Sequence, residues 1–159
     1  MLEAVINGKG AWCASVASEC SEGALKPGLE DMAQAHQIFG NPLFPDAAEH
    51  VNLLVLRDQM LQPGDRRSAH LGEAETITII TSRNLTAAFV TDDREAQRQA
   101  RAQQIPVYNT WHILKLAVKT KKLSDLEFWT AYNTLVGVNR GHPPCGRDGA
   151  SVNAWLTGV

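Results

Sequence analysis

Between Thr86 and Lys122 the chain switches repeatedly between a strand-like and a helix-like pattern. "TAAFVT" is short, continuous and apolar, with β-branched residues at its end, and reads as a strand. "DREAQRQARAQQ" reads as a helix, "IPVYN" as a second strand and "TWHILKLAVKTKK" as a second helix. Strands alternating with helices predict an α/β domain with a parallel sheet. In such sheets, sites form beyond the carboxyl ends of the strands. Thr91-Asp92-Asp93 occupies such an end.

Gly and Pro divide the rest of the chain. "AWCASVASECSEGA" predicts a very short strand running into a helix, with Ser15 as a candidate N-cap. "KPGLEDMAQAHQIFG" predicts a short helix, and "PLFP" a brief extended segment. "DAAEHVNLLVLRDQMLQPGD" predicts a helix capped by Asp46, with Val51, Leu54 and Val55 as its apolar stripe. The loop "PGDRRSAH" follows. "LGEAETITII" begins a helix ending near Arg83-Asn84, and "SDLEFWTAYNTLVGV" a later one capped by Ser124 or Asp125. Residues 139–159 form a Gly/Pro-rich tail with one last turn around Val152 to Leu156, so the domain boundary is placed after residue 138.

Composition narrows the function classes. A chain of 159 residues suits one domain, and 44% apolar with 20% charged residues is ordinary for a globular protein. A net charge of −2 does not announce a nucleic-acid binder, so any such surface is local. No apolar run approaches the roughly 20 residues of a membrane span, and the first residues lack a signal-peptide pattern, so the expected location is cytoplasmic. Three cysteines, Cys13, Cys20 and Cys145, fit no zinc or redox spacing and read as reduced thiols.

The acids carry the chemistry. On a helix, Glu73, Ile77 and Ile80 share a face, whereas Glu75 lies about 200° round from Glu73. Glu73 is therefore expected to point inward and Glu75 to the flank. One reading is structural. A first-turn acid is stabilised by the helix dipole, and Asp92 can cap the helix that follows it. The other reading is convergence with Asp92 or Asp93 and with Glu19. Carboxylates that converge without basic partners repel unless cations join them, and hard oxygen ligands suit Mg²⁺ or Mn²⁺.

"HLGEAETITIITSRN" followed by "AAFVTDDREAQRQARAQQIPVYNTWHILKLAVKTKKL" resembles the C-terminal half of PIN-domain proteins, in particular the VapC-like toxins. The similarity spans about residues 12–123 and is densest from His70 onward. The resemblance implies a PIN-like three-layer α/β fold, with a short parallel sheet flanked by helices. It implies a metal-dependent endoribonuclease holding Mg²⁺ or Mn²⁺ through Glu19, Glu73 and Asp93, with Asp92 the close alternative to Asp93. It implies the toxin of a bacterial toxin–antitoxin pair, with an RNA substrate, a small antitoxin partner and a homodimer.

The family's first acid is an Asp ending an N-terminal central strand, and this chain has no Asp before Asp31. Its opening, "MLEAVINGKGAW", resembles the helix after that strand, so the expectation is a domain shortened at its N-terminus. The alternative function is a catalytically impaired PIN-fold protein that serves as an interaction module.

Arg94, Arg98 and Arg101 recur at i, i+4 and i+7 and share a helix face suited to RNA phosphates. Lys115, Lys119, Lys121 and Lys122 add a second basic cluster. Both also read as solvated faces with local ion pairs, such as Glu95 with Arg98.

Overall fold

The computed structural model describes residues 2–66 and 68–158. The loop expected over residues 63–70 includes Arg67, which lies outside the described residues. The chain is α/β and mostly helical, with a small two-stranded parallel sheet. It divides into two compact units, one of residues 8–107 and one of residues 1–7 with 108–159. The division differs from the expected boundary after residue 138, because the tail contributes a helix to the second unit's core.

The first unit contains α2 (Ala14–Ala24), a 3-10 turn (Glu30–Gln34), α3 (Ala35–Phe39), α4 (Ala47–Met60), α5 (Leu71–Ser82), β1 (Phe89–Val90) and α6 (Arg94–Ala102). β2 (Val107–Tyr108) straddles the boundary between the units. The Phe89 N–H donates to Pro106 O at 2.8 Å, where the chain enters β2. Each strand is two residues long, so "TAAFVT" and "IPVYN" pair only at their centres.

The strand expected at "AWC" is reduced to one parallel bridge between Cys13 and Leu43. Ala14 N–H donates to Leu43 O at 3.0 Å, and Leu43 N–H to Trp12 O at 2.9 Å. "PLFP" is thus the extended partner of the residues that enter α2.

α4 begins at a complete capping box. Asp46 Oδ1 accepts from Glu49 N–H, and Glu49 Oε2 from Asp46 N–H, both at 2.8 Å. Its buried face differs from the expected one. Val51 and Val55 are 60% and 55% exposed, whereas Glu49, Leu53, Leu56 and Met60 are buried. The "NLLVL" run is apolar on several sides, so periodicity admits more than one stripe. Leu53, Leu56 and Met60 continue at i, i+3 and i+7 over two turns and win the larger burial.

α5 is buried around most of its circumference: Gly72, Ala74, Glu75, Ile77, Thr78, Ile79 and Ile80 are all inside. Ile77 and Ile80 meet Leu56 and Met60 from α4, Ala96 and Ala100 from α6, and Phe89 and Ile105 in one core cluster. A fully buried isoleucine contributes roughly 1.5–3 kcal/mol of transfer free energy.

The second unit contains α1 (Leu2–Ile6), Tyr108, α7 (Thr110–Lys119), α8 (Asp125–Gly137) and α9 (Gly149–Thr157). Ser124 caps α8 in a box with Glu127, and Asp148 caps α9 by accepting from Ser151 N–H. The last turn expected around Val152 to Leu156 is a nine-residue helix. Val152 and Leu156 join Trp111, Leu114, Phe128 and Tyr132 in the core. Among the described residues no helix is long and apolar enough to cross a membrane.

Candidate functional site

The acids sit where α2 docks on the first turn of α5, inside the unit of residues 8–107. Gly72 makes that close approach feasible. A Cβ there would lie 2.8 Å from Val16 Cγ2 and 3.7 Å from Glu19 Oε1. Gly72 O in turn accepts from Thr76 Oγ1 at 2.8 Å and from the Cys13 thiol at 3.4 Å. Burial of Cys13 pushes its thiol up to about 11, so it is a packed protonated group rather than a nucleophile.

The two glutamates of "LGEAE" exchange the roles that periodicity assigned them. Glu75 is buried, with 2% of its surface exposed, and Glu73 is half-buried. Glu75 Oε2 accepts from the backbone N–H of Ser15 at 2.9 Å. Ser15 is not the N-cap expected of it. Cys13 holds that position without a side-chain cap bond, and Glu75 satisfies the first turn of α2 from the neighbouring helix. The reason is packing around α5: when most of a helix's surface is covered, a 3.6-residue period no longer tells inside from outside.

Glu19 projects from α2 toward the same turn. Glu19 is exposed as a residue, yet partial desolvation of its carboxyl at this contact, followed by the charges of Glu73, Glu22 and Glu75, lifts that carboxyl above the usual carboxylate range. The structure thus brings Glu19 together with Glu73, and adds Glu75.

Asp93 is used differently. It is the N-cap of α6, and its Oδ1 accepts from Ala96 N–H at 2.7 Å. The same oxygen lies 3.8 Å from His70 Nδ1, while His70 Nε2 lies 3.5 Å from Asp65 Oδ2. His70 holds this bridging position from a left-handed backbone conformation, φ 59°, immediately before α5. In the sequence His70 is only the last residue of the loop "PGDRRSAH", with no spacing that ties it to Asp93. Asp92 is exposed.

Glu19, Glu73 and Asp93 are carboxylates of the type a hard dication takes. Among the described residues, however, no group of three or more His, Cys, Asp or Glu side chains is arranged to hold a metal ion. Glu19 and Glu73 fit the donor chemistry, but the expected set does not assemble as a cage.

Arg94, Arg98 and Arg101 are all exposed on α6. Arg98 Nε donates to Glu95 Oε2 at 2.9 Å, and Arg101 to Gln97 Oε1 at 3.1 Å, so two of the three already have local partners. A pair missed in sequence lies deeper. Arg83 Nε and Nη2 donate to the two oxygens of Glu49 at 2.8 and 2.7 Å, and Nη2 also to Phe44 O at 2.6 Å. An open depression beside α4, lined by Asn52, Val55, Thr78 and Gln103, contains none of the candidate acids.

No family model, no curated protein and no solved structure matches the chain.

Proposed function

We propose that this chain is a metal-dependent endoribonuclease of the PIN type, acting in the cytoplasm as the toxin of a bacterial toxin–antitoxin pair and restrained by a small partner protein. The supporting observation is the close approach of Glu19 to the first turn of α5 at Gly72, where Glu73 and Glu75 help lift the Glu19 carboxyl and no basic side chain is among the causes. A site that keeps ionisation unfavourable in this way is relieved by a cation. Glu19 and Glu73 are the ligands of Mg²⁺ or Mn²⁺ in this reading, with Asp93 or Asp92 completing the set. The ion would supply activation of water and neutralisation of charge on the phosphodiester. Arg94, Arg98 and Arg101 would carry the RNA backbone on the exposed face of α6.

One observation favours a second reading. The described residues hold no three-ligand group, and Asp93 and Glu75 are both engaged in capping helices. A PIN-like interaction module without chemistry fits that arrangement. Cleavage of single-stranded RNA in Mn²⁺ separates the two. The nuclease reading expects activity abolished by EDTA and reduced at least about 100-fold in Glu73→Gln and in Glu19→Gln. Equal activity in wild type and both variants removes the metal-nuclease reading.

A further inference from the structure

The acids are distributed unequally along the chain. Residues 8–107 contain thirteen Asp and Glu against nine Lys and Arg, whereas residues 1–7 and 108–159 contain four against six. From Ala96 to Ser124 there is no Asp or Glu at all. Within the second unit this acid-free run carries Lys115, Lys119, Lys121 and Lys122. Of the unit's acids, Glu127 and Asp148 are occupied as partners of Ser124 and Ser151 at helix starts.

Aromatic rings on α7 and α9 adjoin these lysines at Lys115. His112, Lys115 and Lys119 recur at i, i+3 and i+7 and share one face of α7. Tyr108, which is 46% exposed, meets the His112 ring edge-on at 5.9 Å. His112 in turn meets Trp155 of α9 at 6.4 Å, and Lys115 Nζ lies 4.6 Å from the Trp155 ring centroid. Lys119 Nζ reaches the far end of the same helix, 3.2 Å from where a Cβ on Gly158 would sit. The result is one strip in which three adjoining rings, Tyr108, His112 and Trp155, lead to two ammonium groups, Lys115 and Lys119.

We propose that this strip is a binding surface for single-stranded nucleic acid. Lys115 and Lys119 meet phosphates, and the open ring of Tyr108 takes an unstacked base. Single-strand binders combine a basic track with aromatic platforms, because every base has a π-face while only the phosphates carry charge. A purely electrostatic surface would not need the exposed tyrosine. This inference does not rest on the carboxylates or on cleavage.

The test uses the full chain in EDTA, so that binding is read without hydrolysis. A fluorescein-labelled oligouridine RNA of about twelve nucleotides is titrated by anisotropy at about 50 mM salt. Lys115→Gln with Lys119→Gln should weaken binding about tenfold and reduce the log–log salt slope by about 1.4. Tyr108→Ala should weaken it about fivefold or more, while Tyr108→Phe retains it. Lys121→Gln with Lys122→Gln, in the exposed turn after α7, should give a smaller loss. Melting curves of all variants establish that they fold; should Lys115→Gln with Lys119→Gln not fold, the tyrosine pair carries the test. Unlabelled single strands should displace the probe, and duplex RNA should not. Unchanged affinity in the tyrosine and lysine variants overturns the proposal. So does equal displacement by duplex RNA or by anionic lipid vesicles.

Discussion

Glu75 and Ser15, sixty residues apart in sequence, are joined by a 2.9 Å hydrogen bond from the Ser15 backbone N–H to the Glu75 carboxylate. The bond closes the first turn of α2 with a side chain from α5, in place of the local cap that "CASVASE" lacks. Removing the carboxylate leaves a partly buried N–H without its acceptor. Glu75→Ala should therefore destabilise the fold by about 1–3 kcal/mol, and Glu75→Gln, which keeps an acceptor, by about 1 kcal/mol or less. Urea unfolding midpoints read the difference; an alanine variant as stable as wild type would refute the trans-capping role.

Gly72 is the second support of this contact. Alanine there gains about 1 kcal/mol of helix propensity but places a methyl 2.8 Å from Val16 Cγ2. Overpacking of that kind costs typically 1–3 kcal/mol, so the clash prevails. We expect Gly72→Ala to be destabilised, and Val16→Ala in the same background to recover part of the loss. Additive effects of the two changes would mean that they do not meet.

Glu19→Gln should raise stability at neutral pH. Its carboxyl is lifted in the folded state, so the unfolded chain releases that proton more readily, and the folded state is penalised as pH rises above the usual carboxylate range. Partial exposure keeps the gain below about 1 kcal/mol, a few degrees in melting temperature. A variant less stable than wild type at pH 7, yet equal to it at pH 4, would contradict the burial-and-repulsion account. Higher stability with lost activity is the pattern expected of a functional residue.

Glu49 behaves oppositely. Hydrogen bonds from Arg83, then from the Asp46 amide, lower its carboxyl to about 2. A depressed folded-state pKa gives stability that is complete above about pH 4.5 and lost as pH falls toward 2. Glu49→Gln should flatten the acid limb of a stability–pH profile measured by chemical unfolding. An unchanged limb would place the acid sensitivity elsewhere.

Cys13 should resist alkylation by iodoacetamide in the folded protein up to about pH 9–10, because burial holds its thiol at about 11. Mass spectrometry of the modified sites checks this. Cys145, which is partly exposed, serves as the internal reference.

Local chemistry was readable from the chain where caps and turns decide structure. Asp46 and Ser124 begin their helices as expected, and the strand–helix–strand–helix order from Thr86 onward is present. The stripe on α4 and the ranking of Glu73 over Glu75 were not readable, for the same reason. Both lie in segments apolar on several sides, where the buried face is chosen by the neighbours. The Glu49–Arg83 pair spans 34 residues and His70 meets Asp93 across 23, so neither had a sequence spacing to announce it.

Short-range periodicity and capping thus determine where helices such as α4 and α8 begin, and that the chain is α/β. They also supply the carboxylates from which a site can be built. Which of those carboxylates face one another is a property of tertiary packing. The close approach at Gly72 sets Glu19 beside Glu73, turns Glu75 into a cap for α2, and leaves Asp93 to α6 and His70. Coulomb repulsion and burial act through space, and a linear spacing does not contain those distances.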